Sequence, residues 1–201
     1  MNFEFAEQIN PSLEQLDMSS AIAIAEARLR QLPPTEFHEV IGLSLVGQAH
    51  DLAIWVDQFY QAVSKRIEIE ALYFEMTEFD INTDQWYIDC FAYTKDGGLD
   101  ANDMEWLVEF DASSQEETGT VFLIEGYENL QKAFETFDEK PSDLEREDAS
   151  SWCEQIIIAR FMELMRAAHL SAKDSKLPWA NLPIYFTEHA YDFIVRSEMT
   201  P

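Results

Sequence analysis

The sequence predicts an α+β protein with helices at both ends, a central antiparallel sheet of about four strands, a long C-terminal helix and a last strand, all in a single compact domain. Three observations predict it. Apolar residues recur at helical spacing near both ends, they alternate in twos between those stretches, and 14 Phe, 5 Trp and 7 Tyr provide core that disordered acidic chains lack. With 201 residues and 47% apolar composition, one well-filled domain spans 1–201, with a helical part about 1–66, a sheet part about 67–126 and a second helical part about 127–201.

Each element has its own warrant. Ser12 with Gln15 fits a capping box, and Ser19 or Ser20 is placed to cap a helix whose stripe is Ile22, Ala25, Leu29 and Leu32, stopped by Pro33 and Pro34. A third helix is expected from Val46, Ala49, Ala53, Val56, Phe59 or Tyr60, and Val63, with Lys65 and Arg66 suiting its negative end. The period then changes. IEIEALYFEMTEFDI holds a strand whose alternation slips near 71–75, and in QWYIDCFAYT the residues Trp86, Ile88, Cys90 and Ala92 share one face. In MEWLVEFD, Met104, Trp106, Val108 and Phe110 oppose Glu105, Leu107, Glu109 and Asp111, and TVFLIE reads as a short buried strand. Strands in succession without helices between them favour an antiparallel meander.

Helical spacing returns over 127–137 with Leu130, Phe134 and Phe137 on one side. DEKPSDLEREDAS, which contains Pro141, reads as a solvated connection or short exposed helix. Ser151 with Glu154 gives another capping box, before a helix whose wide stripe includes Trp152, Ile156, Phe161, Leu164, Met165 and Ala168. LPIYFTEHAYDFIVRS is read as a last strand, with a helix open for TEHAYDFIVRS. No repeat, glycine-rich linker or domain boundary is evident.

The 39 acidic and 13 basic residues give a net charge of −26, which opposes direct binding to nucleic acid or an anionic bilayer. No stretch approaches the roughly 20 apolar residues that cross a membrane. The N-terminal stretch is acidic and has no apolar h-region, so no signal peptide is expected and a cytoplasmic location is the default. Cys90 and Cys153 are expected as buried free thiols.

The stretch KDGGLDAND fits no EF-hand register, because placing either glycine at the sixth loop position leaves apolar, basic or glycine residues at required oxygen-ligand positions. A connection between strands with Gly97 and Gly98 at positive φ is the stronger reading. A calcium site of another kind would draw on Asp96, Asp100 and Asp103. His38, the His50–Asp51 pair and Asp57 resemble, in residue order, the ligands of HD-class metal-dependent phosphohydrolases; the short histidine spacing, sheet-rich middle and missing cationic phosphate clamp depart from that family. His169 is read as sitting at a helix C-terminus for its dipole, and His189 beside Glu188 joins no triad. The sequence assigns no catalytic residue, no metal ligand and no cofactor.

Charge is distributed unevenly. From 67 to 118 there are fifteen acidic residues and one basic residue, Lys95. The sequence therefore leads to a non-enzymatic binder of a basic protein, such as an immunity protein against a nucleic-acid-acting toxin or a DNA mimic, with Asp96, Asp100, Asp103, Glu105, Glu109, Asp111, Glu116 and Glu117 as the contact surface. A metal-assisted hydrolase using His and Asp is the competing class. Acids that serve only solubility, or adaptation to high salt, are the remaining readings.

Overall fold

The computed structural model describes residues 3–77, 85–100, 104–139, 143–189 and 193–199. The expectations that fall on Asp103, on Pro141, on 78–84 and on 190–192 lie outside the described residues.

The longest helix, α6 (Leu144–Asp174), decides the layout. Ile156, Ile157, Ile158 and Ala159 are buried at consecutive positions, followed by Phe161 and Met162. Over this middle stretch the helix has no side left for water and must be covered all round, although Leu144 and Leu170 nearer its ends are exposed. Helices α1 (Phe3–Glu14), α2 (Met18–Leu29) and α3 (Ala49–Val63) pack on it. The sheet closes another side, where Phe161 meets Phe186 edge-on at 6.4 Å. One buried charge lies between α2 and α6: Glu26 accepts from Arg30 at 2.6 Å, from Arg160 at 3.1 Å and from the Gly42 N–H at 3.0 Å. Burial opposes its ionisation, yet those hydrogen bonds hold the carboxyl below its usual range.

The helix starts differ from the capping boxes expected from sequence. Ser12 lies inside α1 and Ser151 inside α6, so neither is placed to cap. Asp17 caps α2 by accepting from Ser20 N–H at 3.1 Å, and Asp143 caps α6 by accepting from Arg146 N–H at 2.9 Å. A carboxylate accepts the orphan N–H as well as a serine does, and an Asp-rich chain offers several such starts. From Leu144 the polar run before Ser151 is helix, the second of the two alternatives read from sequence, and it forms the first turns of α6 instead of a short separate helix. Arg146 anchors it: its guanidinium lies 4.3 Å from the Phe137 ring centroid and donates to Glu36 at 3.0 Å and to the Phe137 carbonyl at 2.9 Å.

In the sheet, β1 (Ala71–Thr77) and β2 (Tyr87–Tyr93) pair antiparallel in full register, Ala71 opposite Tyr93 and Thr77 opposite Tyr87. The other edge of β2 takes two short strands, β3 (Ala112–Ser113) and β4 (Phe122–Leu123), with α4 (Ser114–Glu117) between them. After α5 (Glu128–Glu135) and α6 the chain returns as β5 (Ile184–Glu188), parallel to β1, and β6 (Val195–Ser197), antiparallel to β5. The α+β expectation holds, while the sheet is mixed instead of antiparallel throughout, because the helical crossover brings β5 back in the direction of β1. The C-terminal stretch is strand at 184–188 and 195–197, not helix. In TVFLIE, Phe122 is half-buried and Leu123 exposed.

The two sheet faces are unlike. Leu72, Phe74, Ile88, Cys90, Ile184 and Phe186 belong to the core shared with the helices. Tyr73, Tyr93 and Tyr185 form a separate cluster with Ala71 on the opposite face. Both cysteines are buried and free, as expected.

His169 is not a cation serving the helix dipole. It is fully buried five positions before the α6 end, bonded through Nδ1 to Ser197 Oγ at 2.8 Å and through Nε2 to the Ala180 carbonyl at 3.1 Å, and stacked on Trp179. Burial pushes its pKa down to about 4. The unfolded chain binds this proton more readily, so His169 contributes stability that is intact above its ordinary pKa of 6.5 and is lost as pH falls toward 4. The full loss amounts to about 3 kcal/mol. Urea unfolding at a series of pH values should show His169→Phe with a shallower dependence across that window; an unchanged slope contradicts the assignment.

Candidate functional site at the open sheet face

The face opposite the helices is partly roofed by residues 95–100 and 104–111. Trp106 is the anchor: its indole meets Tyr93 edge-on at 4.9 Å and Tyr185 at 5.2 Å, and its Nε1–H donates to the Gly98 carbonyl at 3.2 Å. Gly97 lets the ring come this close, since a Cβ there would stand 2.4 Å from Trp106 ring atoms. Positive φ is expected at both glycines; Gly98 adopts it, at +72°, whereas Gly97 does not and serves instead by its lack of a side chain.

The strand expected over MEWLVEFD is absent. Residues Glu105–Val108 form a 3₁₀ turn, so neighbouring Trp106 and Leu107 both pack toward the sheet while Val108 is 79% exposed. Four alternating apolar residues fit a strand, but they also fit a coil draped over aromatic rings. The single carboxylate face inferred from that strand does not exist in this form.

Beside Leu107 lies an open cleft of about 570 Å³, walled by Tyr73, Phe91, Phe110 and Ile194 and carrying Glu75, Thr187 and His189 as polar members. The size and the apolar lining with few polar groups are those of ligand sites. Glu75 accepts from Tyr73 Oη at 2.9 Å and is in contact with His189 Nδ1. The parallel pairing of β5 with β1 brings this histidine there, its N–H bonding to the Met76 carbonyl.

Glu75 also stands directly opposite Asp89 in the β1–β2 register. Like charges placed so are mutually destabilising. Asp89 accepts from Ser114 Oγ at 3.2 Å and Gln115 Nε2 at 2.6 Å, yet burial, with the Glu75 charge adding to it, pushes its pKa up. A second aromatic–carboxylate pair occupies the same face: Tyr185 Oη donates to Asp96, which also receives Arg196 at 3.1 Å, and that guanidinium lies 5.7 Å from the Tyr185 centroid. The phenol of Tyr185 is held strongly protonated by burial and by Asp96.

The acids selected from sequence are thus dispersed in role. Asp96 is engaged as described, Asp111 accepts from Thr94 N–H at 2.7 Å and from its hydroxyl at 2.9 Å, and Glu117 pairs with Arg66. Asp100 is exposed and has an interaction of its own, and Asp103 lies outside the described residues. Glu105, Glu109 and Glu116 are exposed around the open face and its β2 edge. Tyr73, Glu75 and His189 were missed, because no spacing rule joins positions brought together by a crossover.

The HD-like residues do not form a ligand set. His38 accepts the Thr35 N–H at Nδ1 and therefore donates through Nε2 to the Leu29 carbonyl, which leaves neither ring nitrogen for a metal. His50 and Asp51 are exposed on α3. Among the described residues, no group of three or more His, Cys, Asp or Glu converges on a metal position, and no helix is long and apolar enough to cross a membrane. No family model, curated protein or solved structure matches the chain.

Gly97→Ala should displace Trp106 and destabilise the protein by about 1–3 kcal/mol, the cost of overpacking a filled contact. Denaturant unfolding with the Trp106 indole N–H resonance as local probe checks this. An unmoved resonance and unchanged midpoint contradict the close approach.

Proposed function

We propose that the protein is a non-enzymatic acidic binding protein that masks a basic partner protein at the open face of its sheet. An immunity protein against a nucleic-acid-acting toxin, or a DNA mimic, is the form this reading takes. The observation that carries it is the combination beside the open face: exposed Glu105 and Glu109 among exposed Val108 and Phe110, with exposed Glu116 at the β2 edge, in a chain of net charge −26. Apolar surface provides contact area once the partner is docked, and unpaired carboxylates attract a cationic surface from a distance. A purely solubilising coat has no need of the exposed apolar residues among its acids.

A basic partner should be retained by the protein at low salt and should associate more slowly as salt rises. Replacing Glu105, Glu109 and Glu116 together by Gln should slow association of the purified partner roughly tenfold at low salt. Stopped-flow mixing of the two proteins over a salt series reads both effects. A partner whose association is indifferent to salt and to the triple replacement overturns the electrostatic reading.

A further inference from the structure

The polar members of the cleft are explained by neither solubility nor the exposed rim acids. Glu75 lies half-buried beneath apolar walls and faces Asp89 across the strand pair, so two carboxylates share one stretch of sheet. The hydrogen bonds to Glu75 come from a neutral phenol and an imidazole side chain. A phenol does not cancel charge, and the imidazole meets only one of the two carboxylate oxygens, Tyr73 taking the other. Natural folds keep such local conflict where binding relieves it.

Neighbouring residues on the same face supply the pattern for what relieves it. Tyr185, Asp96 and Arg196 form an aromatic ring, a carboxylate and a guanidinium in mutual contact. Tyr73 and Glu75 repeat the ring and the carboxylate one strand away, where the space beside them is the cleft.

We propose that the cleft between Tyr73, Phe91 and Ile194 receives one arginine side chain of the basic partner, its guanidinium meeting Glu75. This inference rests on the reading of the chain as a binder of a basic protein and names the residue type that the site accepts. The three methylenes of arginine match the apolar walls, and its planar head stacks on aromatic faces while offering a fork of N–H donors to a carboxylate. A lysine ammonium is a compact, strongly hydrated point charge and makes less of flat aromatic walls. Phe91 lies 5.8 Å from Tyr73 and 4.9 Å from Phe110, so the walls present successive ring surfaces to that head. Asp89 adds negative potential from behind Glu75.

The test uses three acetylated, amidated tripeptides, Gly-Arg-Gly, Gly-Lys-Gly and Gly-citrulline-Gly, titrated into the labelled full chain and followed by amide and methyl resonances. Citrulline keeps the shape of arginine without its charge. Saturable shifts at Tyr73, Glu75, Phe91 and Ile194 are expected with the arginine peptide, weaker by about tenfold or more with citrulline and by severalfold with lysine. Glu75→Gln should weaken the arginine response about tenfold, and Phe91→Leu, conservative in volume, severalfold. Equal responses to arginine and citrulline, or to arginine and lysine, overturn the proposal, as do arginine shifts spread over the rim acids and untouched by Glu75→Gln. The comparison of peptides on the unaltered chain stands even where a variant fails to fold. The rim replacement of Glu105, Glu109 and Glu116 should leave the peptide response in place. Failure of the peptides with intact partner binding therefore defeats the cleft assignment alone, and the reverse result defeats the partner reading.

Discussion

The all-round burial of the middle of α6, residues 155–159, is the constraint on which the rest of the fold depends. A helix with Ile156, Ile157, Ile158 and Ala159 buried in succession must be enclosed. The chain encloses it with α1, α2 and α3 on its flanks and with one face of the sheet. That arrangement uses the large helices on one side of the sheet. The opposite face is left to a partial roof made by residues 95–100 and 104–111, held down by Trp106 against Gly97 and Gly98.

Composition shapes the open face as much as topology does. Its tyrosines bury rings against each other, and its carboxylates each take an available donor: Asp96 an arginine, Asp111 a threonine, Asp89 a serine and a glutamine. Glu75 sits among these with Tyr73 and His189 at the edge of a cleft. The acidic excess is therefore divided. Part of it is structural, engaged in hydrogen bonds that fix the loops, and part remains on the rim at Glu105, Glu109 and Glu116.

Much of the fold was legible because periodicity survives where one face is buried. The stripe of Ile22, Ala25 and Leu29 and the alternation of Trp86, Ile88, Cys90 and Ala92 both lead to the observed elements and the observed buried sides. The misreadings arise where the pattern has more than one physical source. Met104, Trp106, Val108 and Phe110 alternate, but a coil packed from one side by rings produces the same pattern as a strand. The polar stretch before Ser151 left connection and helix both open, because Arg146 is buried through its cation–π contacts instead of through an apolar side chain. His169 and the cleft were illegible for a different reason: their partners, Ser197 for one and Glu75 for His189, are set by long-range pairing. The acids could be counted from sequence, whereas the sorting into internal acceptors and exposed rim required the register.

The open sheet face, and not the helical layer, is where the proposed basic partner would dock. Amide hydrogen exchange of the protein alone and in complex with its basic partner tests this directly. Protection is predicted at residues 104–111 and along β5 and β6, with α1, α2 and α6 unchanged. Protection confined to the outer helices, with the open face exchanging as in the free protein, would contradict the account.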